Sequence, residues 1–239
     1  MPKIDVRRFP ARSELDTALA DRLERAIRAT ATGSGGGPPV IMLSGGHTPL
    51  PAYREVARRH PPHGDELTII YSDDRYVPAD ADASNYHSTR PLIDALGLPE
   101  GQVLRVRTEL PLEEAARDYE RCLRTLLDSG AGIGLALLGI GPDGHTASLF
   151  RPEHLQQSRG RLAIAVQRPD GMQGISVTPD FLASVAEPLF VVAGAGKHDA
   201  IAAFIRQDPG SIALRAVAGC PRVELWIERD SELAPSAGK

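Results

Sequence analysis

Several short apolar runs, some of them apolar at every position, recur along this chain. They are Val40–Leu43, Leu67–Tyr71, Leu135–Leu138, Leu162–Val166, Ile175–Thr178, Leu189–Val192 and Val223–Ile227. A strand with one wet face alternates apolar and polar side chains. A strand covered on both faces is free of that alternation. Between the runs the apolar period lengthens to that of a helix, near Leu50–Arg59, Leu112–Leu127 and His198–Ile205. Ahead of the first run, Leu15, Leu19, Leu23 and Ile27 recur every fourth residue, with Ser13 placed to cap them. Thr178-Pro179 reads as a cap followed by proline in the first helical turn. Strands alternating with helices predict an α/β fold. The expected form is a three-layer sandwich with a mostly parallel, Rossmann-like central sheet covered by helices on both faces.

No repeat or composition break divides the sequence, so residues 1–239 are expected to form one domain. Gly33-Ser34-Gly35-Gly36-Gly37-Pro38-Pro39 precedes a strand, whereas phosphate loops follow one, so it reads as a flexible connection. The tail after Asp230 reads as frayed. Apolar residues make up 42%, enough to bury a core. The net charge of −4 removes the basic excess that a general nucleic-acid binder needs. No run approaches the length of a membrane span, and the first ten residues lack the apolar centre of a signal peptide. Cys122 and Cys220 form no CxxC pair and read as free thiols, with a disulfide as the open alternative. These features predict a cytoplasmic protein, a monomer or small homo-oligomer, without a nucleic-acid or membrane partner.

Ligands of open α/β sheets bind beyond the carboxyl ends of the strands. Four polar or glycine-rich clusters fall at such ends: Ser44–Pro49, Ser72–Arg75, Gly139–Thr146 and Gly194–Lys197. In the first, Gly45 and Gly46 let backbone N–H groups approach an anion. Pro49 can open a helix whose N-terminus attracts negative charge, and Ser44 and Thr48 add hydroxyls. A plain strand-to-helix turn capped by Thr48 is the alternative. Lys197 stands at a helix start, where a cation opposes the helix dipole, as though a bound anion offset it. An exposed lysine is the alternative.

Gly139-x-Gly141-x-x-Gly144 matches the dinucleotide fingerprint in form only. Asp143 would lie against the pyrophosphate, Pro152 limits the following helix, and the next strand lacks the ribose-binding acid. Asp143-Gly144-His145 suits different chemistry. A histidine can take a proton from water, and a nearby carboxylate can fix its tautomer. A histidine that caps a turn or packs in the core is the alternative. Asp73-Asp74-Arg75 supplies carboxylates and a cation able to hold an oxyanion, or else a surface ion pair. Asn85 binds sugar hydroxyls or makes a turn. The other histidines, at 47, 60, 63, 87, 154 and 198, show no metal-ligand spacing, so no metal is expected.

SGGHTP at 44–49, SDDRYVP at 72–78, SNYHS at 84–88 and GIGPDGHTASLF at 139–150 occur in this order, and the chain from about Val40 to Trp226 resembles the 6-phosphogluconolactonase family. The same fold carries glucosamine-6-phosphate deaminases and isomerases. The resemblance implies hydrolysis of 6-phosphoglucono-δ-lactone to 6-phosphogluconate in the pentose phosphate pathway, with no cofactor. It implies that His145 is the general base, with Asp143 beside it, and that Arg75 contacts the substrate near the reacting centre. Ser44, Gly45, Gly46, Thr48 and Lys197 would surround the phosphate, with Asp73 and Asn85 as further substrate contacts. The deaminases resemble the chain at DGH but continue with a glutamate, where Thr146–Phe150 offers no carboxylate. Two departures stand out. Gly174 occupies a position where family members often carry arginine, and Arg151-Pro152-Glu153 replaces their proline-glycine. Arg168 and Arg151 are candidate substitutes, Arg168 being counted among the substrate-binding residues. The rival readings are an amino-sugar-phosphate deaminase or isomerase, and a non-catalytic sugar-phosphate sensor.

Overall fold

The computed structural model describes residues 1–31 and 38–232. The glycine run from Gly33 to Gly37 and the tail from residue 233 therefore lie outside the described residues, whereas Ser231 and Glu232, expected to fray, are held: Ser231 is buried and Glu232 pairs with Arg8 at 2.8 Å. In chain order the elements are β1 (Lys3–Phe9), α1 (Arg12–Thr30), β2 (Pro39–Leu43), α2 (Leu50–Arg59), β3 (Thr68–Tyr71), β4 (Asp73–Arg75), α3 (Asn85–Leu96) and β5 (Val103–Leu104). Then follow α4 (Leu112–Asp128), β6 (Gly132–Leu138), α5 (Pro152–Gln157), β7 (Ala163–Gln167), β8 (Gln173–Val177), α6 (Pro179–Leu182), β9 (Val185–Val192), α7 (His198–Ile205), α8 (Ile212–Ala216) and β10 (Arg222–Glu228).

A seven-stranded sheet in the order β1-β10-β9-β6-β2-β3-β5 forms the middle layer, and every pairing in it is parallel. Successive side chains leave opposite faces of a strand, and the core divides accordingly. Ile41, Leu43, Ile69, Tyr71, Leu189 and Val191 pack with α1, α2 and α3. Val40, Met42, Ile70, Phe190 and Val192 pack with α4, α7 and α8. The continuous apolar runs are thus strands buried on both faces.

Leu15, Leu19, Leu23 and Ile27 of α1 are wholly buried. Each such side chain contributes roughly 1.5–3 kcal/mol by leaving water. Ser13 is not the cap of this helix. The cap position is Ala11, which makes no side-chain cap bond, and Ser13 lies inside the first turn, its carbonyl accepting from Thr17 Oγ1. Thr178 does cap α6, accepting from Phe181 N at 3.3 Å, with Pro179 in the first turn.

Two expected strands leave the central sheet. The runs at 162–166 and 175–178 become β7 and β8, which pair antiparallel with each other, and β8 pairs antiparallel with β4. The main-sheet ladder ends at Tyr71, and after Ser72 alone the chain enters this small sheet. Ser72 N donates to Leu43 O, and Val177 N donates to Ser72 O, both at 2.9 Å. Ser72 therefore joins the two sheets, which brings Asp73 and Arg75 alongside the 163–177 hairpin. Tyr119 of α4 holds the same corner: its hydroxyl donates to Tyr71 O at 2.5 Å and accepts from Tyr71 N at 2.9 Å.

From β2 the chain moves outward to β3 and β5, then crosses through α4 to β6 on the other flank of β2. The strand order reverses between β2 and β6, and such a switch point opens a crevice beyond the carboxyl ends of the two strands. Ser44 and Gly139 are the first residues past those ends. Cys122 is half-buried in α4 and Cys220 is buried before β10, and both are free thiols. Among the described residues no helix is long and apolar enough to cross a membrane.

Candidate active site

A cleft of about 350 Å³ opens at this switch point, within the range of small-molecule pockets. All four strand-end clusters reach it. Ser44, Gly45, Gly46 and Thr48 line it beside Asp73, Arg75, Asn85, His145, Arg168 and Lys197. Asp143 stands just behind, against the imidazole. The sites expected from widely separated segments therefore share one cavity.

The Ser44–Pro49 loop is pinned from two helices. Tyr53 of α2 donates its hydroxyl hydrogen to Ser44 O at 2.9 Å and accepts from Ser44 N at 3.2 Å. Arg12 of α1 donates to Thr48 O at 2.9 Å and to His47 O at 3.2 Å. Thr48 makes no cap bond to α2, whose cap position is Pro49. A Cβ on Gly45 would stand 1.7 Å from Asn85 Oδ1, so only glycine lets this loop lie against α3. Lys197 occupies the cap position of α7 and is half-buried. Burial lowers the pKa of its ammonium, and the nearby charge of Arg12 lowers it further. Two cations thus adjoin one glycine-rich loop; Arg12 is already paired with Asp16 at 2.8 Å, and a bound anion would relieve the field at Lys197.

The opposite wall is built from a tight turn. Gly144 N donates to Gly141 O and Gly141 N to His145 O, each at 2.9 Å. This turn aims Asp143 at the imidazole, and Nδ1 of His145 lies 2.5 Å from Asp143 Oδ1. Burial alone would raise the carboxyl pKa of Asp143, but the hydrogen bond and charge of His145 outweigh it and hold the group below its ordinary value. An ionised carboxylate only accepts, so the Nδ1 position carries the hydrogen, and in the neutral ring the lone pair is on Nε2. A Cβ on Gly141 would lie 2.1 Å from His145 Nδ1, so the close approach of imidazole to backbone requires glycine there. The next turn places Ala147 at φ +48°, a strained conformation for a residue with a Cβ, and Ala147 also lines the cleft.

Between these walls lies a polar brace. Asp74, almost wholly buried, accepts from Asn85 N at 2.7 Å, Arg75 N at 2.8 Å, Ser84 Oγ at 3.1 Å and Tyr86 N at 3.2 Å. Burial pushes its pKa up to about 6, against the pull of the backbone N–H groups. Asn85 is the first residue of a helix rather than part of a turn, and it is 2% exposed. Its amide nitrogen donates to Asp73 O at 2.8 Å, and its amide oxygen accepts from Arg75 Nη1 at 2.8 Å. Arg75 Nη1 also donates to Ala83 O at 3.0 Å, whereas its Nε is buried without a hydrogen-bond partner among the described residues. Asp73 accepts from Ser72 Oγ at 2.9 Å and from Ser148 Oγ at 2.6 Å.

Arg168 belongs to the turn between β7 and β8. It donates to Ser148 Oγ at 2.9 Å and to Asp170 Oδ2 at 2.9 Å, and its guanidinium lies 5.0 Å from the Phe150 ring centre. A Cβ on Gly174 would meet Asp74 O at 3.1 Å and Arg168 Cδ at 3.3 Å. The missing side chain at 174 thus leaves room for the stem of Arg168. Arg151 is exposed, and its guanidinium reaches Gln167 O at 3.5 Å without lining the cleft.

The sequence reading missed Arg12, Tyr53, Ser148 and Phe150. Arg12 had a usable signal, since a cation in the first turn opposes the helix dipole as Lys197 does. The other three had none, because their roles depend on contacts across the fold. Among the described residues no group of three or more His, Cys, Asp or Glu stands close enough to hold a metal ion.

Known proteins share this sequence pattern and this fold. Residues 10–224 match the model of the glucosamine-6-phosphate isomerases/6-phosphogluconolactonase family. The chain is 35% identical over 195 residues to a 6-phosphogluconolactonase of Nostoc sp., covering 78% of this chain and 80% of that one. It is 36% identical over 203 residues to the 6-phosphogluconolactonase of Homo sapiens, covering 79% and 76%. The crystal structure of a 6-phosphogluconolactonase from Thermotoga maritima superposes with a TM-score of 0.81 at 26% identity, covering 95% of this chain and all of that one.

Proposed function

The chain belongs to the glucosamine-6-phosphate isomerase/6-phosphogluconolactonase family, and from that premise we propose that it hydrolyses 6-phospho-D-glucono-1,5-lactone to 6-phosphogluconate as a single-domain enzyme. The observation that carries this reading is one cleft with an anion-binding end, formed by Ser44–Thr48 and Lys197, and a base, His145, fixed by Asp143.

The phosphate sits on the backbone N–H groups of residues 45–48 and on the Lys197 ammonium, with Arg12 holding the loop in place. Nε2 of His145 takes a proton from a water molecule as its oxygen attacks the lactone carbonyl carbon. Asp143 stabilises the imidazolium so formed. The Arg75 guanidinium, held by Asn85, faces the negative charge that develops on the carbonyl oxygen. The tetrahedral intermediate collapses, the ring C–O bond breaks, and the proton on His145 passes to the departing ring oxygen. Asp73 and Arg168 line the wall that the sugar hydroxyls meet, with Arg168 in the space that Gly174 leaves open.

The decisive experiment measures opening of the phosphorylated and unphosphorylated lactones, each corrected for spontaneous hydrolysis. The reading expects strong preference for the phosphorylated compound. Preference for the unphosphorylated one removes the anion anchor. Release of ammonia from glucosamine 6-phosphate moves the chain to the deaminase side of its family, and tight sugar-phosphate binding without turnover makes it a sensor.

A further inference from the structure

The mechanism leaves one aromatic ring without a role. Phe150 does not line the cleft, yet it touches two groups that do. Its ring centre lies 4.3 Å from that of His145, at an interplanar angle of 38°. The Arg168 guanidinium carbon lies 5.0 Å from the same ring centre. The ring is held from behind. Phe150 N donates to Nδ1 of His154 at 3.1 Å, and the His154 ring stands edge-on at 6.3 Å. His154 is 6% exposed, on the short helix α5, so the anchor is buried.

Asp143 fixes His145 at one point only. A hydrogen bond at Nδ1 sets the tautomer and anchors one edge of the ring, but the ring can still tilt about that contact and carry Nε2 with it. The Phe150 ring, in contact with the imidazole at a tilt of 38°, limits that motion. The π-face of an aromatic ring is also negative, and it favours a cation on either neighbour: the permanent guanidinium and the imidazolium formed during turnover. An aliphatic side chain of similar bulk supplies volume without either effect.

We infer that Phe150 is a positioning residue that aligns His145 and Arg168 together, so that the base and the neighbouring cation keep one fixed separation across the cleft. The inference rests on the lactonase reading for its kinetic consequence, and on the ring contacts alone for its structural one.

The test compares Phe150→Leu with Phe150→Tyr, in the full chain, by steady-state kinetics on the phosphorylated lactone and by NMR of the His145 imidazole. With Leu, kcat falls about tenfold to a hundredfold, the scale of a slightly misplaced catalytic group, KM rises as Arg168 loosens, and the upfield ring-current displacement of the His145 protons disappears. With Tyr, the ring returns and all three readouts stay near those of the unsubstituted protein. A residue that only fills space would let Leu pass and give Tyr no advantage. A folded Leu variant with unchanged kcat, KM and imidazole resonances overturns the inference, and so does a Tyr variant as impaired as Leu. Should the Leu variant not fold, Phe150→Met, a flexible filler without a ring, is read by the same criteria. If the chain opened no lactone at all, the imidazole resonances would still decide the positioning claim apart from the function.

Discussion

Asp143 and His145 are two residues apart in the chain, and their side chains meet at 2.5 Å, Oδ1 to Nδ1. The turn that allows this places Gly141 so close that a Cβ there would lie 2.1 Å from the imidazole. The carboxylate accepts from the main-chain N–H of His145 as well, at 3.2 Å. The tautomer of the imidazole and the path of the backbone beneath it are therefore set by a single five-residue loop at the end of β6.

Removing the imidazole isolates the base. His145→Ala is expected to lower kcat by about 10²–10⁴-fold while leaving the melting temperature nearly unchanged, since the side chain is partly exposed. Asp143→Asn keeps the size but can present its NH₂ to Nδ1 and favour the wrong tautomer, so kcat falls by at least about tenfold. Undiminished turnover in a folded His145→Ala protein would falsify the assignment.

Lys197→Met separates anchoring from chemistry. A charge-assisted hydrogen bond is worth about 1.5–3 kcal/mol, so KM for the phosphorylated lactone should rise about 10- to 100-fold. Turnover of the unphosphorylated lactone, which lacks the anion, should hardly change. Equal losses on both substrates would remove Lys197 from the phosphate end.

Arg12→Ala should act on the same end from outside the cleft. The 44–49 loop loses its donors to His47 O and Thr48 O. KM for the phosphorylated lactone should then rise several-fold with kcat kept, and steady-state kinetics shows whether it does. A pure kcat effect would be inconsistent with a role in holding the loop.

Gly141→Ala adds one methyl group where no space exists. The imidazole must rotate away, so kcat should drop at least about tenfold. A circular-dichroism melt should move little, because the added methyl group meets only the side chains of His145 and Asp143, which are not in the core. A crystal structure of the variant with His145 undisplaced would contradict the steric claim.

Asp74 makes a prediction about pH. Its folded pKa, about 6, stands above the ordinary 3.8. The fold therefore prefers the protonated carboxyl. The stability that this group contributes is fully present at acid pH and is lost as pH rises from about 4 to about 6. Linkage over that interval is worth up to about 3 kcal/mol. Denaturant titrations of the unsubstituted chain and of Asp74→Asn between pH 4 and 7 should differ by a gap that changes across this window and is flat above it. A gap independent of pH would show that the carboxyl does not titrate there.

The sequence alone determined that the middle layer is a buried parallel sheet, because strands covered on both faces leave runs such as Ile41-Met42-Leu43 with no polar alternation. It also pointed to four strand ends as the candidate site, since glycines, a proline and polar residues gather there, and it singled out His145, Arg75 and Lys197. What it could not determine were properties of distance. The runs at 162–166 and 175–178 look like the other buried strands, yet pair antiparallel in a second sheet, because pairing depends on where Ser72 turns the chain. Asn85 reads as a sugar contact or a turn, and it is the first residue of a helix, because the buried carboxylate of Asp74 accepts the N–H groups at that helix start. Ser148 and Phe150 fall inside the segment 139–150, but nothing in it shows what they touch, and Tyr53 reads only as an apolar position of its helix. Periodicity records how a residue meets its own strand or helix, but the partner across a cleft is chosen only when the whole chain has packed.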